Sequence, residues 1–214
     1  MGATIRTVRF RNREWRFVES EQTAWWIKHL EAGRWESDTF DAIDTYVNGG
    51  TFVDIGAWVG IFSVYAATRA KQVVALEPDR VAWKMLKKNL RANGVKNVRA
   101  LDRAAWDYTG KVELRQEGTW GNSMTGPTRE GEARSFPCIS IRDLAVLADD
   151  PVDLVKVDTE GSETHIVPGL LEWGCPLHVS LHKPEMDGPL DFGERAIEYV
   201  VGSPDTDYSS VIVT

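Results

Sequence analysis

Residues 51–60 read TFVDIGAWVG and join a strand pattern to a glycine turn. The apolar, β-branched run at 51–55 is typical of a buried strand, and Gly56 and Gly60 then allow the backbone to turn tightly before an apolar stretch with helical spacing. A helix that begins directly after such a turn presents free N–H groups near the end of the strand. This combination predicts an α/β protein with a ligand site at the carboxyl end of the strand.

Short β-rich runs alternate with helical patterns after this turn, which predicts a mostly parallel sheet with helices on both faces. The predicted strands lie at 51–55, 73–77, 97–101, 152–157 and 177–181, with a further short strand at 111–114 and a terminal one in the run VIV. Helical patterns occur at 21–31 and 38–47 before the sheet and at 194–201 after it. The glycine-rich segment 115–137 is predicted to be a long loop, and loops of this length are often functional.

The chain carries 25 basic and 32 acidic residues among 214, a formal net charge of −7. This length fits one α/β domain. No stretch reaches the roughly 18 apolar residues of a membrane span, and residues 1–10 lack the apolar centre of a signal peptide. Cys138 and Cys175 fit no disulfide or zinc pattern. We therefore expect a cytoplasmic protein with no membrane partner, and the acidic balance predicts no nucleic-acid partner.

Two carboxylates fall at the ends of the first two predicted strands. Asp54 precedes the glycine turn, and Glu77 lies 23 positions later, where Rossmann-type sheets place an acceptor for ribose hydroxyls. The dinucleotide fingerprint GxGxxG is absent, and a carboxylate at Asp54 would repel a pyrophosphate. S-adenosylmethionine fits this pattern because it carries an ammonium, a sulfonium and a ribose but no phosphate. In a purely structural interpretation, Asp54 caps the turn and Glu77 is a solvated strand end.

A second group of carboxylates follows the predicted strand at 152–157. Asp158, Glu160 and Glu163 occur at i, i+2 and i+5, on the sheet edge where open α/β folds bind ligands. Because crowded carboxylates repel one another, at least one of their pKa values rises, which suits a proton acceptor or a cation site. A helix-capping role for Glu163 is an equally good interpretation.

The run LHVSLH at 177–182 alternates apolar and polar residues. Strand geometry puts His178, Ser180 and His182 on one face. His182 falls at the carboxyl end of the strand, beside the carboxylate group. Because the ordinary pKa of histidine lies near neutral pH, His182 is a candidate general base for a hydroxyl, with a structural role as the alternative.

These segments resemble the FkbM-type S-adenosylmethionine-dependent methyltransferases. The resemblance covers residues 35–182 and lies in TFVDIGAWVG, VVALEPD, NLRANGVKNV and, most specifically, VDLVKVDTEGSE. It implies a Rossmann-like class I methyltransferase fold, with a mostly parallel seven-stranded sheet in the order 3-2-1-4-5-7-6. It also implies methyl transfer to a hydroxyl of a sugar or of a small natural-product-like acceptor.

The resemblance assigns roles in cofactor binding residue by residue. It places the glycine turn around the methionine part of S-adenosylmethionine, Glu77 on the ribose and Asp158 near the methyl donor. Trp35-Glu36 resembles an aromatic-Glu pair of the family that reaches the amino-acid end, and the segment 103–106 borders the adenine. The implied cofactor-binding set is Glu36, Asp54, Gly56, Ala57, Trp58, Gly60, Glu77, Ala105, Trp106 and Asp158.

The expected activity is therefore S-adenosylmethionine-dependent O-methylation, with Asp158, Glu160 and His182 as the catalytic residues and no assigned metal. A first alternative is a metal-assisted enzyme, because these oxygen and imidazole ligands would suit Mg²⁺ or Mn²⁺. A second is a catalytically degenerate methyltransferase fold that binds a partner or a cofactor. A nucleic-acid methyltransferase is disfavoured, because the chain lacks the NPPY or DPPY segment of amino-directed DNA enzymes.

We expect a single domain over 1–214, with an N-terminal helical cap at 1–50, a cofactor-binding core at 51–183 and a candidate substrate loop at 115–137. The chain holds nine tryptophans. As many as six of them are predicted to surround the ligand site, namely Trp25, Trp26, Trp35, Trp58, Trp106 and Trp120.

Overall fold

The computed structural model describes residues 4–20, 23–116, 125–128, 130–203 and 206–214. Strands and helices are numbered in chain order. The strands are β1 (Thr4–Phe10), β2 (Arg13–Glu19), β3 (Thr51–Ile55), β4 (Gln72–Leu76), β5 (Val98–Leu101), β6 (Ala104–Trp106), β7 (Gly110–Gln116), β8 (Thr125–Gly126), β9 (Glu132–Ser140), β10 (Val152–Val157), β11 (Leu177–His182), β12 (Ile197–Val201) and β13 (Tyr208–Val213). The helices are α1 (Ala24–Glu31), α2 (Ser37–Tyr46), α3 (Ile61–Ala66), α4 (Arg80–Ala92), α5 (Ile141–Ala145) and α6 (Glu163–Leu171).

The central sheet contains seven strands in the order β5-β4-β3-β10-β11-β13-β12. The five strands from β5 to β11 are parallel, and β13 is antiparallel to both of its neighbours. Counted along the chain as sheet strands one to seven, this order is 3-2-1-4-5-7-6. The predicted mostly parallel sheet is confirmed, and the order implied by the resemblance is the one observed.

Helices cover both faces of this sheet. Successive residues of its central strands point to opposite sides, so each of these strands packs against both helical layers. Phe52 of β3 packs in a cluster with side chains of α1 to α4. Its neighbour Val53 packs in a second cluster with side chains of α5 and α6. All five residues of β3 are buried, as expected for a strand between two helical layers. In the described part of the chain, no helix is long and apolar enough to cross a membrane.

A four-stranded sheet in the order β6-β9-β7-β8 lies outside the central sheet. It contains part of the segment 115–137 that is predicted to be a loop. That prediction is wrong for 132–137, which belong to β9 and pair with β7 through alternating contacts such as Phe136 with Val112. Phe136, Leu114 and Val112 are buried in a small core of their own, and this packing outweighs the local glycine and proline content. Residues 117–124 and 129 lie outside the described residues, including Trp120.

An antiparallel hairpin of β1 and β2 precedes the predicted helical cap. Before residue 51 the sequence prediction contained only helices, of which α1 and α2 are present with shifted ends. The hairpin packs its alternate residues Val8, Trp15 and Phe17 into the cluster under the sheet. The alternation of Trp15 and Phe17 with charged neighbours is the period-two pattern of a strand, and the sequence prediction did not use it.

Residues 194–201 form no helix. The segment Ile197–Val201 is instead the edge strand β12, which pairs with β13 from Ile197 opposite Val213 to Val201 opposite Ser210. The spacing of apolar residues in this short run fits both a helix and a strand. Pairing with a buried neighbour decides the outcome, and the β-branched and aromatic residues of the run suit a strand.

Candidate functional site

The glycine turn between β3 and α3 brings the backbone of two strands together. Gly56 has a φ of +76°, and a Cβ at this position would lie 1.8 Å from the carbonyl oxygen of Asp158. Gly60 has a φ of +81°, and its Cβ would lie 2.7 Å from Cγ of Leu86 on α4. Trp58, between them, also has a positive φ of 45°. Both glycines are required by close approach as well as by backbone conformation.

Glu77 follows β4 and binds the same turn. Its Oε2 accepts a hydrogen bond from the backbone N–H of Trp58 at 2.8 Å, and its Oε1 accepts one from Asp79 at 2.7 Å. Burial raises the pKa of Glu77 to about 8, although these two N–H donors act in the opposite direction. The carboxyl is therefore not a solvated strand end: it fixes the turn and lines the cavity beside it.

Lys156 lies on β10 at the centre of the site and was not among the residues predicted for it. The side chain is 2% exposed. Its Nζ donates to the carbonyl oxygen of Gly56 at 2.8 Å and lies 3.5 Å from Oδ1 of Asp54 and 3.4 Å from Oδ2 of Asp158. Burial acts to lower its pKa, but the charges of Asp158, Asp54 and Glu36 raise the pKa overall. A lysine in a strand that is apolar apart from this residue and Asp153 was the sequence signal for this role.

Asp54 lies behind the glycine turn and outside the cavity lining. Its side chain is fully buried, and its Oδ2 accepts a hydrogen bond from Ser63 at 2.6 Å. Its other oxygen has no hydrogen-bond partner among the described residues and faces Lys156 at 3.5 Å. Asp54 therefore anchors α3 and Lys156, and through Lys156 the turn.

Glu36 enters the cavity from the N-terminal part of the chain. It precedes α2 with a φ of 36°, a left-handed conformation that is costly for a residue with a side chain. Burial, followed by the charge of Asp158, raises the pKa of Glu36 to about 8. Its Oε2 has no hydrogen-bond partner among the described residues. A strained backbone that presents a buried, unsatisfied carboxyl is typical of a functional site.

His182 lies at the end of β11 among three carboxylates. Its Nδ1 is 3.3 Å from Oε1 of Glu163, and its Nε2 is 3.6 Å from oxygens of both Asp158 and Glu160. Burial acts to lower the pKa of His182, but the hydrogen bond to Glu163 and the neighbouring charges raise it to about 9. Glu160 has a left-handed φ of 56°.

Glu163 lies beneath this cluster and holds the loop that carries it. Its Oε1 accepts from the backbone N–H of Thr159 at 3.1 Å, and its Oε2 accepts from that of Gly161 at 2.9 Å. The fully buried Glu163 thus holds the loop before α6 and contacts His182. The helix-capping interpretation is wrong, because both backbone N–H donors lie in the loop ahead of the helix.

Most of the charged side chains described above meet in one cavity at the carboxyl ends of β3, β4, β10 and β11, namely Glu36, Glu77, Lys156, Asp158, Glu160 and His182. Tyr208 of β13 completes its wall, since it pairs with His182 across the antiparallel ladder, and it had no local sequence signal. The lining residues are Trp35, Glu36, Ile55, Gly56, Ala57, Trp58, Ile61, Phe62, Leu76, Glu77, Pro78, Arg103, Ala104, Ala105, Leu114, Thr125, Lys156, Asp158, Thr159, Glu160, Ser162, His182 and Tyr208.

Two predicted cofactor residues besides Asp54 lie outside this lining. Gly60 packs against α4, and Trp106 stacks on His165 with ring centroids 4.1 Å apart. Ala105, the residue before Trp106, does line the cavity. Alternation along β6 explains the difference, because neighbouring side chains of a strand face opposite sides.

Four of the predicted tryptophans form one connected cluster beside the cavity. Trp35 and Trp58 line it, with ring centroids 6.1 Å apart. Trp26 is fully buried behind them, and Trp25 packs edge-on against Trp35 at 5.0 Å while remaining 48% exposed.

Comparison with known proteins finds solved structures of the same fold. No family model and no curated protein matches the chain. A methyltransferase FkbM from Methylobacillus flagellatus KT is 18% identical over 78% of this chain and 44% of its own, with a TM-score of 0.54. This chain has a methyltransferase fold. It spans less than half the length of that FkbM chain.

Two shorter solved proteins match over most of their length. An rRNA methylase from Streptococcus thermophilus is 12% identical over 83% of this chain and 93% of its own, with a TM-score of 0.51. The protein SMU.1697c from Streptococcus mutans, solved in complex with SAH, is also 12% identical, over 83% of this chain and 95% of its own, with a TM-score of 0.51. At identities this low, the similarity shows a shared fold alone.

Proposed function

We propose that the protein is an S-adenosylmethionine-dependent O-methyltransferase of the FkbM type, acting on a hydroxyl of a sugar or of a small natural-product-like acceptor. The observation that carries the proposal is the single cavity in which the glycine turn, Glu77 and the Asp158–His182 cluster converge. Ligands of open α/β sheets bind at this edge. The methyltransferase fold of the solved neighbours supports the same assignment.

The cavity has the donors and acceptors that S-adenosylmethionine requires. Oε2 of Glu36 and Nε1 of Trp35 are both buried without a hydrogen-bond partner among the described residues, so an ammonium and a carboxylate of a ligand would satisfy them. The space over Gly56 is closed to any side chain, so the ligand would meet bare backbone at the turn. When bound, S-adenosylmethionine would supply a methyl group whose carbon–sulfur bond breaks as the acceptor oxygen forms the new bond.

The contribution of this chain is positioning and proton removal. Lys156 ties Gly56 to Asp158 and thereby fixes the distance between the turn and the cluster around His182. Because methyl transfer needs no covalent bond to the protein, holding the acceptor oxygen in line carries much of the rate enhancement. The proton of the acceptor hydroxyl leaves on the side of the cavity where Asp158, Glu160 and His182 converge.

Titration calorimetry of the folded protein with S-adenosylmethionine and with S-adenosylhomocysteine tests the cofactor assignment. We expect saturable binding of both, weakened by Glu36→Gln because the ammonium would lose a charged acceptor. An absence of binding by the folded wild type would overturn the assignment.

A substitution at His182 tests the catalytic side of the cavity. We expect His182→Ala to lower turnover far more than cofactor affinity, because His182 faces the acceptor side of the cavity. Turnover equal to that of the wild type would remove His182 from the mechanism. A panel of sugar and small-molecule acceptors is needed for this measurement and also tests the degenerate alternative, which predicts cofactor binding without turnover on any acceptor. The buried Glu77 and Lys156 and the half-buried Asp158 favour an active enzyme.

We further propose a cytoplasmic protein whose partner is a small-molecule or carbohydrate acceptor and not a nucleic acid. Cys138 and Cys175 are both buried and unpaired, which suits a reducing compartment. The net charge of −7 disfavours a phosphate backbone as partner. Salt-sensitive binding to an RNA or DNA oligonucleotide would contradict this part of the proposal.

A further inference from the structure

His182 has the geometry of a metal ligand whose other ring nitrogen is held by a carboxylate. Its Nδ1 lies 3.3 Å from the buried Oε1 of Glu163, so that nitrogen already has a carboxylate partner. Its Nε2 faces the cavity. Metal-binding histidines commonly have this arrangement, with one ring nitrogen on a carboxylate and the other on the ion.

Two carboxylate oxygens near Nε2 are too far away for good hydrogen bonds and close enough to share an ion with it. Oδ1 of Asp158 and Oε2 of Glu160 each lie 3.6 Å from Nε2 of His182, beyond the usual range of hydrogen bonds. Neighbouring ligand atoms of an octahedral ion at about 2.1 Å lie about 3.0 Å apart, so binding would draw these side chains together by about half an ångström. One ligand atom from each of the three residues lies within 4.8 Å of the others.

One oxygen of Asp158 faces His182, and the other contacts Lys156. Its Oδ2 lies 3.4 Å from Nζ of Lys156, while Oδ1 faces His182. Lys156 is shared with Asp54 at 3.5 Å, so it offsets only part of the negative charge in the site. Asp158, Glu160 and Glu163 all lie within 3.6 Å of a single imidazole.

A further buried carboxyl, that of Glu36, lines the same cavity. Oε2 of Glu36 is buried in the same cavity without a hydrogen-bond partner among the described residues. Its charge interacts with those of Asp158 and His182. Buried carboxylates are normally paired with a cation or with hydrogen-bond donors.

We propose that Asp158, Glu160 and His182 bind one divalent metal ion in the cavity. Two carboxylate oxygens and one imidazole nitrogen form a mixed donor set that suits Mn²⁺ or Mg²⁺, with the remaining positions left to water or substrate. As a consequence that rests on the proposed function, the ion would take the acceptor hydroxyl as a ligand and favour its ionised form, and the proton would pass to water.

Titration of the metal-free protein with Mn²⁺ tests the site without cofactor or acceptor, so the result is independent of the proposed activity. We expect one bound ion per chain and, in pulsed electron paramagnetic resonance, a ¹⁴N coupling from the imidazole. His182→Ala should abolish that coupling. Glu160→Gln should retain it and weaken binding by about tenfold or more, and Glu163→Gln should weaken binding by a similar factor through the orientation of His182.

His29→Ala serves as the matched control, because His29 is an exposed histidine of α1 outside the cavity. It should bind Mn²⁺ as the wild type does. Circular dichroism melting identifies any variant that fails to fold, and in that event the wild-type nitrogen coupling still tests the site. An absence of Mn²⁺ binding by the wild type at about 1 mM, a range of only weak affinity, would overturn the proposal. So would an unchanged coupling in folded His182→Ala.

Discussion

Glu77 is a buried carboxyl that both fixes the glycine turn and lines the cavity. Each of its oxygens accepts a backbone N–H, from Trp58 and Asp79, and burial nevertheless raises its pKa to about 8 from an ordinary value of 4.5. Between these two pH values the folded state holds a proton that the unfolded state releases. The contribution of Glu77 to stability therefore falls as the pH rises from 4.5 towards 8.

Cofactor binding should release protons at pH 7. Ribose hydroxyls donate to Glu77 in the proposed complex, and this favours its ionised form. Calorimetry with S-adenosylmethionine in buffers of different ionisation enthalpy measures the number released. We expect the number to fall in Glu77→Gln, and to fall in the wild type above pH 9, where Glu77 is already ionised. A proton count that does not depend on pH would contradict this prediction.

Gly56 should tolerate substitution far less well than another glycine of similar conformation. Gly94 has a φ of +67° and open space within 4 Å of the position that a Cβ would take, whereas at Gly56 the Cβ would lie 1.8 Å from the oxygen of Asp158. Alanine costs about 1 to 2 kcal/mol at either position through the left-handed backbone, and overpacking adds about 1 to 3 kcal/mol or more at Gly56 alone. Urea unfolding of both variants measures the difference. Equal losses would mean that the two strands separate easily at the turn.

At the scale of elements, α4 connects the N-terminal hairpin to the glycine turn. Asn89 is fully buried; its Oδ1 accepts from the backbone N–H of Val18 on β2 at 2.8 Å, and its Nδ2 donates to the carbonyl oxygen of Val59 at 2.8 Å. Asn93, one turn later, binds the backbone of Arg16 at the surface. The hairpin is thus attached to the element that borders the cavity.

Asn89→Ala should destabilise the protein more than Asn93→Ala. The first change leaves a buried N–H and a buried C=O without their partner, at about 1 to 3 kcal/mol for each group, whereas water can replace Asn93. Chemical unfolding gives the difference in free energy, and amide hydrogen exchange should show faster exchange at Val18 in Asn89→Ala alone. Similar losses in the two variants would contradict the connecting role of Asn89.

The central strands were predictable from sequence because each element there agrees with its local pattern. The run 51–55 is rich in β-branched and aromatic residues, Asp79 is a good N-cap, and both have the expected role in the structure. Strand β12 was missed because its short run fits a helix as well as a strand. The hairpin β1–β2 pairs locally and was missed because its buried side chains pack against residues far along the chain. Lys156 and Tyr208 enter the site for the same reason, through neighbours that a local pattern does not identify.

At the scale of the whole molecule, the cavity is assembled from both ends of the chain. Trp35 and Glu36 come from the segment before the sheet, and Tyr208 comes from its last strand. Asp38 of α2 connects the N-terminal segment to the last strands of the sheet. Its Oδ2 accepts a hydrogen bond from Ser210 at 2.6 Å and lies 3.1 Å from Nε2 of His178. The position of Trp35, and of the tryptophans that it contacts, therefore depends on the complete sheet.

Intrinsic fluorescence should change when S-adenosylmethionine binds. Trp35 and Trp58 line the cavity, so a ligand would alter their solvent exposure and their contact with each other. We expect Trp35→Phe and Trp58→Phe each to reduce the change. Trp173→Phe serves as the control, because Trp173 packs in the cluster with α5 and α6 on the other face of the sheet. A saturating ligand that leaves the wild-type spectrum unaltered would contradict this placement.

The bonds of Asp38 have a consequence for the order of events during synthesis. Its partners His178 and Ser210 follow it by 140 and 172 positions, so α2 leaves the ribosome long before either partner is made. The parallel strands β3 and β4 can pair earlier, because domains begin to fold while the chain still grows. The wall that carries Glu36 is fixed only when β13 has emerged. Nascent chains stalled before Tyr208 should consequently be cleaved by proteases in α2, and cofactor binding should be among the last properties that a growing chain acquires.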